Sequence, residues 1–198
     1  MKGNNMLDTH ARKYVEPFII KGAEFFLKLK LTPNNVTIIA LIVGISTSLF
    51  IYLDMKVLAI ITLWVSGYLD AVDGDMARSS NKTSLFGTLM DITFDRIVEI
   101  SMILVFGLKM IDVRLNLMIL LSSILMSMTI FLTVGALTDK KGMKSFYYQA
   151  GVAERSEGFI LFTLMILFQS YIGTIANLFS IVVLFTAVQR LLEAKKIL

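Results

Sequence analysis

The sequence predicts an all-α integral membrane protein, with six transmembrane helices preceded by an N-terminal amphipathic helix lying in the interface. Three observations predict it. Hydrophobic residues make up 56% of the 198 and charged residues 17%, with a mean hydropathy of +0.76, where a soluble domain carries about 25% charged residues. Uncharged runs at Val36–Leu53, Leu115–Thr138 and Phe159–Gln189 match the ~18 or more apolar residues that mark a membrane span. The runs hold no proline and do not alternate every second residue, as the strands of a membrane barrel would.

The first element is expected over residues 8–30. Val15, Phe18, Ile19, Phe25, Phe26 and Leu29 recur at helical spacing, with Arg12, Lys13, Glu16, Glu24 and Lys28 between them. That pattern fits a helix lying in the interface plane. Pro17 is expected to start it, because proline is tolerated in a first helical turn. Residues 1–8 are expected to be loose. The same segment offers no cleavable apolar core, so no secretory signal is expected. Span 1 follows at 36–53 and span 2 at 57–77. Span 3, at 85–108, carries Asp91, Asp95, Arg96 and Glu99. Span 4 is placed at 115–137.

The last apolar run is too long for one helix across a ~30 Å hydrocarbon core at a rise of about 1.5 Å per residue. A break near Tyr171–Gly173 divides it into spans at 152–170 and 172–192. The rival reading is one very tilted helix and five spans in all. Between spans 4 and 5, residues 140–149 form a short loop with an aromatic patch at Phe146–Tyr148. With no repeat and no soluble second domain, residues 1–198 read as one membrane domain.

Charge sets the orientation. Most Lys and Arg fall on one side of the six spans, leaving only Lys56, Lys109 and Arg114 in the loops of the other. The positive-inside rule then puts both termini on the cytoplasmic side of the cell membrane. A net charge of +4 suits an anionic lipid surface. Nucleic acid is excluded as a partner, because no compact soluble basic domain exists. The chain has no cysteine, which removes disulfides, thiolate metal sites and a cysteine nucleophile.

Residues 67–95 read GYLDAVDGDMARSSNKTSLFGTLMDITFD. Asp70, Asp73, Asp91 and Asp95 lie there between apolar segments, where each charge costs about 2.5–3.5 kcal/mol at a bilayer centre. On a helix, residues three or four apart share a face. Asp70 and Asp73 therefore form one pair, and Asp91 and Asp95 a second, on consecutive helices joined by a short turn. Like charges so close repel strongly in a low dielectric, and Arg78 and Arg96 cannot neutralise all four. Divalent cations can. An all-oxygen set without Cys or a nearby His favours Mg²⁺ or Mn²⁺, with two ions expected. Gly74, Ala77 and Gly87 beside the acids leave room for a ligand or for close helix approach. A cation transporter or channel with an acidic intramembrane site is the alternative, although no internal repeat supports it.

Residues 70–95 fit D-x2-D-G-x2-A-R-x8-G-x3-D-x3-D without a gap, through Asp70, Asp73, Gly74, Ala77, Arg78, Gly87, Asp91 and Asp95. This resembles the signature of the CDP-alcohol phosphatidyltransferases. LTPNNVT (Leu31–Thr37) resembles the segment entering that family's first span. The resemblance implies transfer of a phosphatidyl group from a CDP-linked lipid such as CDP-diacylglycerol to a hydroxyl acceptor, with release of CMP. It implies Asp70, Asp73, Asp91 and Asp95 as metal ligands and Asp95 also as the general base. Gly74, Ala77, Arg78, Ser84 and Gly87, bordered by Thr32, Pro33, Asn34 and Asn35, would contact the CDP-lipid. It also suggests a homodimer among membrane lipids.

Arg155 in VAERSEGF (Val152–Phe159) is the candidate acceptor contact. Family members that use inositol phosphate carry a second arginine three residues later, where this chain has Gly158. They also carry a lysine near the end of span 4, where it reads TVGAL (Thr133–Leu137). These two positions point away from an inositol-phosphate acceptor.

Overall fold

The computed structural model describes residues 7–138 and 155–198, with side chains described over 15–138 and 156–198. The aromatic patch at 146–148 and the Arg155 side chain lie outside that range. The described chain is all-helical and divides into two compact units, Met1–Val105 and Phe106–Leu198.

The first unit holds α1 (Leu7–Lys28), α2 (Pro33–Tyr52), α3 (Lys56–Ser79) and most of α4 (Leu85–Lys109). The sequence reading started α1 at Pro17 and left residues 7 and 8 loose. The helix instead begins at Leu7 and runs through the proline. Pro17 is exposed, so the carbonyl it leaves without an N–H donor can turn to solvent or headgroups. Further along, α1 docks on α3. The Tyr68 hydroxyl donates to the Phe18 carbonyl at 2.9 Å, and a Cβ on Gly22 would collide with that hydroxyl. Ala23 joins Val36, Ala40, Leu69, Val72 and Met76 in a core shared by α1, α2 and α3.

The start of α2 is fixed by its own sequence. The Thr32 hydroxyl accepts from the Asn35 N–H at 3.3 Å, and Pro33 occupies the first turn, where its missing N–H leaves no bond unmade. Helices α1, α2 and α3 all end in one motif. Lys30, Asp54 and Asn81 adopt left-handed backbone at φ 59°, 59° and 53°. Each N–H returns three residues, to Leu27, Ile51 and Arg78, and the next N–H returns five, to Phe26, Phe50 and Ala77. This is the Schellman pattern, which satisfies the last carbonyls of a helix and reverses the chain within a few residues. The short turns the sequence called for are built this way, without glycine.

Inside the unit, hydroxyls join the helices. Ser66 donates to the Ala40 carbonyl at 2.9 Å, Ser48 meets Ser101 at 2.7 Å and Thr47 meets Thr62 at 3.0 Å. Away from water such bonds hold helices together where apolar contact alone discriminates little from lipid.

The second unit holds a 3₁₀ turn at Ile111–Val113, α5 (Arg114–Leu137), α6 (Arg155–Leu167), a 3₁₀ turn at Gln169–Tyr171 and α7 (Ile172–Ile197). That last turn overturns the single tilted helix and falls where the break was placed. Asn116 on α5 donates to Asn177 on α7 at 2.9 Å. Phe162 on α6 meets Phe179 on α7 edge to face at 5.3 Å.

Among the described residues, four segments are long and apolar enough to cross a membrane: Pro33–Tyr52, Lys56–Ser79, Ile111–Leu137 and Gln169–Ile197. They mark an integral membrane protein. Helix α4 is as long, at 25 residues, but carries the charges of the acidic stretch. Helix α6 is 13 residues as described.

Candidate active site

The acids converge as helical spacing requires. One carboxylate oxygen from each of Asp70, Asp91 and Asp95 lies within 4.8 Å of the others, on half-buried side chains. Asp70 comes from α3, and Asp91 and Asp95 come from successive turns of α4. Asp73, read as a fourth ligand, stands outside this group and is buried at 6% exposure. The sequence counted four acids in the stretch and passed over a fifth, Asp75. Its Oδ1 lies 3.5 Å from Arg78 Nη2. The pairing was legible, since the two residues are three apart on one helix.

Arg78 pairs with Asp75, and Arg96 pairs with Glu99 at 2.5 Å. In its chemistry the donor set fits a divalent cation. It is all oxygen, comes from two rigid helices and spans 4.8 Å at most, against about 4.2 Å between opposite oxygens in a shell of ~2.1 Å radius. A small closure brings them to bonding distance.

The residues read as CDP-lipid contacts fall into two clusters. In the first, the Arg78 guanidinium lies over Gly74, and a Cβ there would sit 3.3 Å from Nη1. The carbonyl of Ala77, also read as a CDP-lipid contact, accepts from the Lys82 N–H in the turn that closes α3. In the second, the Ser84 hydroxyl accepts from the Gly87 N–H at 2.9 Å. Asn34 Oδ1 lies 3.4 Å from where a Gly87 Cβ would be. The start of α2 thus reaches the start of α4. Thr32, Pro33 and Asn35 serve the α2 cap.

A further residue was read only as topology. Arg190 on α7 is 7% exposed. Its guanidinium carbon lies 4.7 Å from the Phe131 ring centroid, and its Nη1 lies 3.4 Å from Ser127 Oγ. Its signal was available, because an arginine at the end of an apolar run asks for a partner on a neighbouring helix.

The chain is similar to known proteins. Residues 30–189 match the family model described as CDP-alcohol phosphatidyltransferase. An archaetidylinositol phosphate synthase from Pyrococcus horikoshii is 35% identical, covering 85% of this chain and 86% of its own. A phosphatidylinositol phosphate synthase from Corynebacterium glutamicum is 32% identical over 48% of this chain and 43% of its own. Among solved structures, the Mycobacterium tuberculosis phosphatidylinositol phosphate synthase with CDP-DAG bound superposes with a TM-score of 0.71 at 21% identity, covering 87% of this chain and 90% of that one. A second structure of it, in complex with manganese and citrate, gives 0.72. At such identity the two structures speak for the fold.

Proposed function

This chain belongs to the CDP-alcohol phosphatidyltransferase family, and we propose that it does this family's chemistry at the Asp70, Asp91 and Asp95 cluster. The enzyme moves a phosphatidyl or analogous lipid-phosphate group from a CDP-linked lipid to an alcohol and releases CMP. A cation transporter or channel finds no support in the family match. The observation that carries the site assignment is the convergence of three carboxylate oxygens within 4.8 Å.

In this reading Asp70, Asp91 and Asp95 hold Mg²⁺ or Mn²⁺, with Asp73 close by on α3 for a second ion. Bound there, the metal supplies charge neutralisation on the pyrophosphate and polarises its bridging bond. Arg78, kept over Gly74 by Asp75, binds the pyrophosphate oxygens. Ser84, Gly87 and Asn34 line the approach of the nucleotide. Asp95 takes the proton from the acceptor hydroxyl as that oxygen bonds to the lipid-side phosphorus and the bond to CMP breaks.

The acceptor read most readily from the relatives' names is an inositol phosphate. The sequence argued against it from two missing cations. Arg155 is the candidate contact for the acceptor. We further infer six spans with α1 in the interface, since Val15, Phe18, Ile20 and Phe25 are exposed along α1. Lysine and arginine placement supports a cytoplasmic site. The match over residues 30–189 favours one catalytic domain, and the resemblance favours a homodimer.

The test is CMP release by purified protein given CDP-diacylglycerol or its ether-lipid analogue, Mn²⁺, and either inositol phosphate, inositol, glycerol 3-phosphate or serine. Product mass identifies the acceptor. Activity surviving EDTA dialysis without added metal would overturn the metal reading. Equal use of inositol and inositol phosphate would overturn a phosphate-bearing acceptor.

A further inference from the structure

The acid stripes of α3 and α4 meet a single point on α2. On α3, Ser66, Asp70, Asp73 and Ala77 follow one helical face. On α4, Gly87, Asp91, Asp95 and Val98 do the same. Ser66 is one turn before Asp70, and Val98 is one turn after Asp95. Both touch Gly44, which is buried at the middle of α2. A Cβ built there would lie 2.7 Å from Ser66 Oγ and 2.5 and 3.1 Å from the two Val98 methyls.

Neither neighbour can move aside cheaply. Ser66 is held by its hydrogen bond to the Ala40 carbonyl at 2.9 Å. Val98 is β-branched and stiff at χ1. A methyl group at residue 44 must therefore push the backbones of α3 and α4 off α2, one turn from the carboxylates.

We propose that Gly44 is a positioning residue for the metal cage. The missing side chain sets how closely α3 and α4 approach α2, and so the size of cation that Asp70, Asp91 and Asp95 accept. The inference rests on the reading of those three as ligands. Mg²⁺ demands oxygens at 2.0–2.1 Å in near-octahedral geometry, whereas Ca²⁺ accepts 2.3–2.6 Å and looser shells. The native contact favours the small ion, and widening it shifts preference toward the large one.

The experiment measures Mn²⁺ binding directly, by loss of the free-ion electron paramagnetic resonance signal, on purified protein in lipid nanodiscs. Mg²⁺ and Ca²⁺ serve as competitors. Gly44→Ala is expected to weaken Mn²⁺ binding about tenfold, the scale on which outer-shell changes alter metal affinity, and to lower the Mg²⁺-over-Ca²⁺ preference. Val98→Ala added to it removes the colliding methyls, leaves the Ser66 Oγ contact, and is expected to restore both in part. Val98→Ile, which crowds the contact from α4, is expected to move both in the direction of Gly44→Ala, and serves if Gly44→Ala does not fold. Native affinity and native preference in Gly44→Ala and Val98→Ile would overturn the proposal. Asp70→Asn separates the two readings. If it keeps native binding, the ligand assignment fails and this inference with it. If it loses binding while the Gly44 and Val98 variants do not change, only the role of Gly44 fails.

Discussion

The Arg78 guanidinium lies across Gly74, one helical turn earlier on α3, where a Cβ would sit 3.3 Å from Nη1. Asp75 holds the other end of the fork at 3.5 Å. Planar, two-pronged recognition of a phosphate depends on that posture. Arg78→Lys keeps the charge and loses the fork. The expected result is a rise of about tenfold in the KM for the CDP-lipid, the scale of one charge-assisted hydrogen bond. Asp75→Asn should raise it less than about fivefold, because an exposed pair contributes about 0–1 kcal/mol. Initial-rate CMP release against donor concentration checks both.

Asp95 is assigned a proton as well as a metal. Asp95→Asn should lower kcat by at least the 10²–10⁴-fold, roughly, that a general base contributes, while the CDP-lipid still binds. Equilibrium binding of labelled CDP-diacylglycerol, run beside the rate assay, separates the two effects. Loss of donor binding in step with the rate would return Asp95 to a purely ligating role.

The Tyr68–Phe18 bond and the bare Gly22 beside it form one joint between α1 and α3. Tyr68→Phe should cost about 0.5–1.5 kcal/mol, the net worth of a hydrogen bond. Gly22→Ala should cost more, since its Cβ meets the Tyr68 hydroxyl, despite alanine's advantage of ~1 kcal/mol in a helix interior. With Tyr68→Phe already present, Gly22→Ala should cost less than it does alone. Thermal unfolding in one detergent measures the coupling, and strict additivity would mean that the two residues do not share a joint.

Lys30 and Asp54 hold left-handed backbone that carries a penalty of about 1–2 kcal/mol for residues with a Cβ, and both are exposed. Lys30→Gly and Asp54→Gly should each stabilise the protein by about 1 kcal/mol, partly offset by the greater freedom of glycine in the unfolded chain. Asn81→Gly should gain less, because asparagine visits this region readily. A higher unfolding temperature for the first two than for the third is the expected order.

The helix limits were legible because a bilayer favours one length for an apolar run, and the described helices end within a few residues of the expected ones. The convergence of Asp70 with Asp91 and Asp95 was legible because helical spacing and a short turn leave few alternatives. Pro17 was misread because the first-turn rule assumes a buried helix interior, whereas an exposed one tolerates the missing bond. Asp75 was hidden by its neighbours, since a pattern built on Asp70 and Asp73 gives it no position. Asp73 is buried outside the group of three, a separation that spacing along α3 does not encode. Arg190 needed its partners on α5, more than fifty residues away in sequence.

The hydroxyl seam between α2, α3 and α4 has a mechanical consequence. Ser101 donates to the Val98 carbonyl of its own helix at 2.8 Å, and Thr62 donates to that of Leu58 at 2.9 Å. Each keeps a bond within its own helix, while Ser48 and Thr47, buried on α2, make theirs across the seam. A slide of α4 or α3 along α2 would strand those two hydroxyls in hydrocarbon, at the cost of burying an unbonded polar group. The helices are keyed in their spacing by Gly44 and in their register by Ser48 and Thr47, as a pawl holds a ratchet at one tooth.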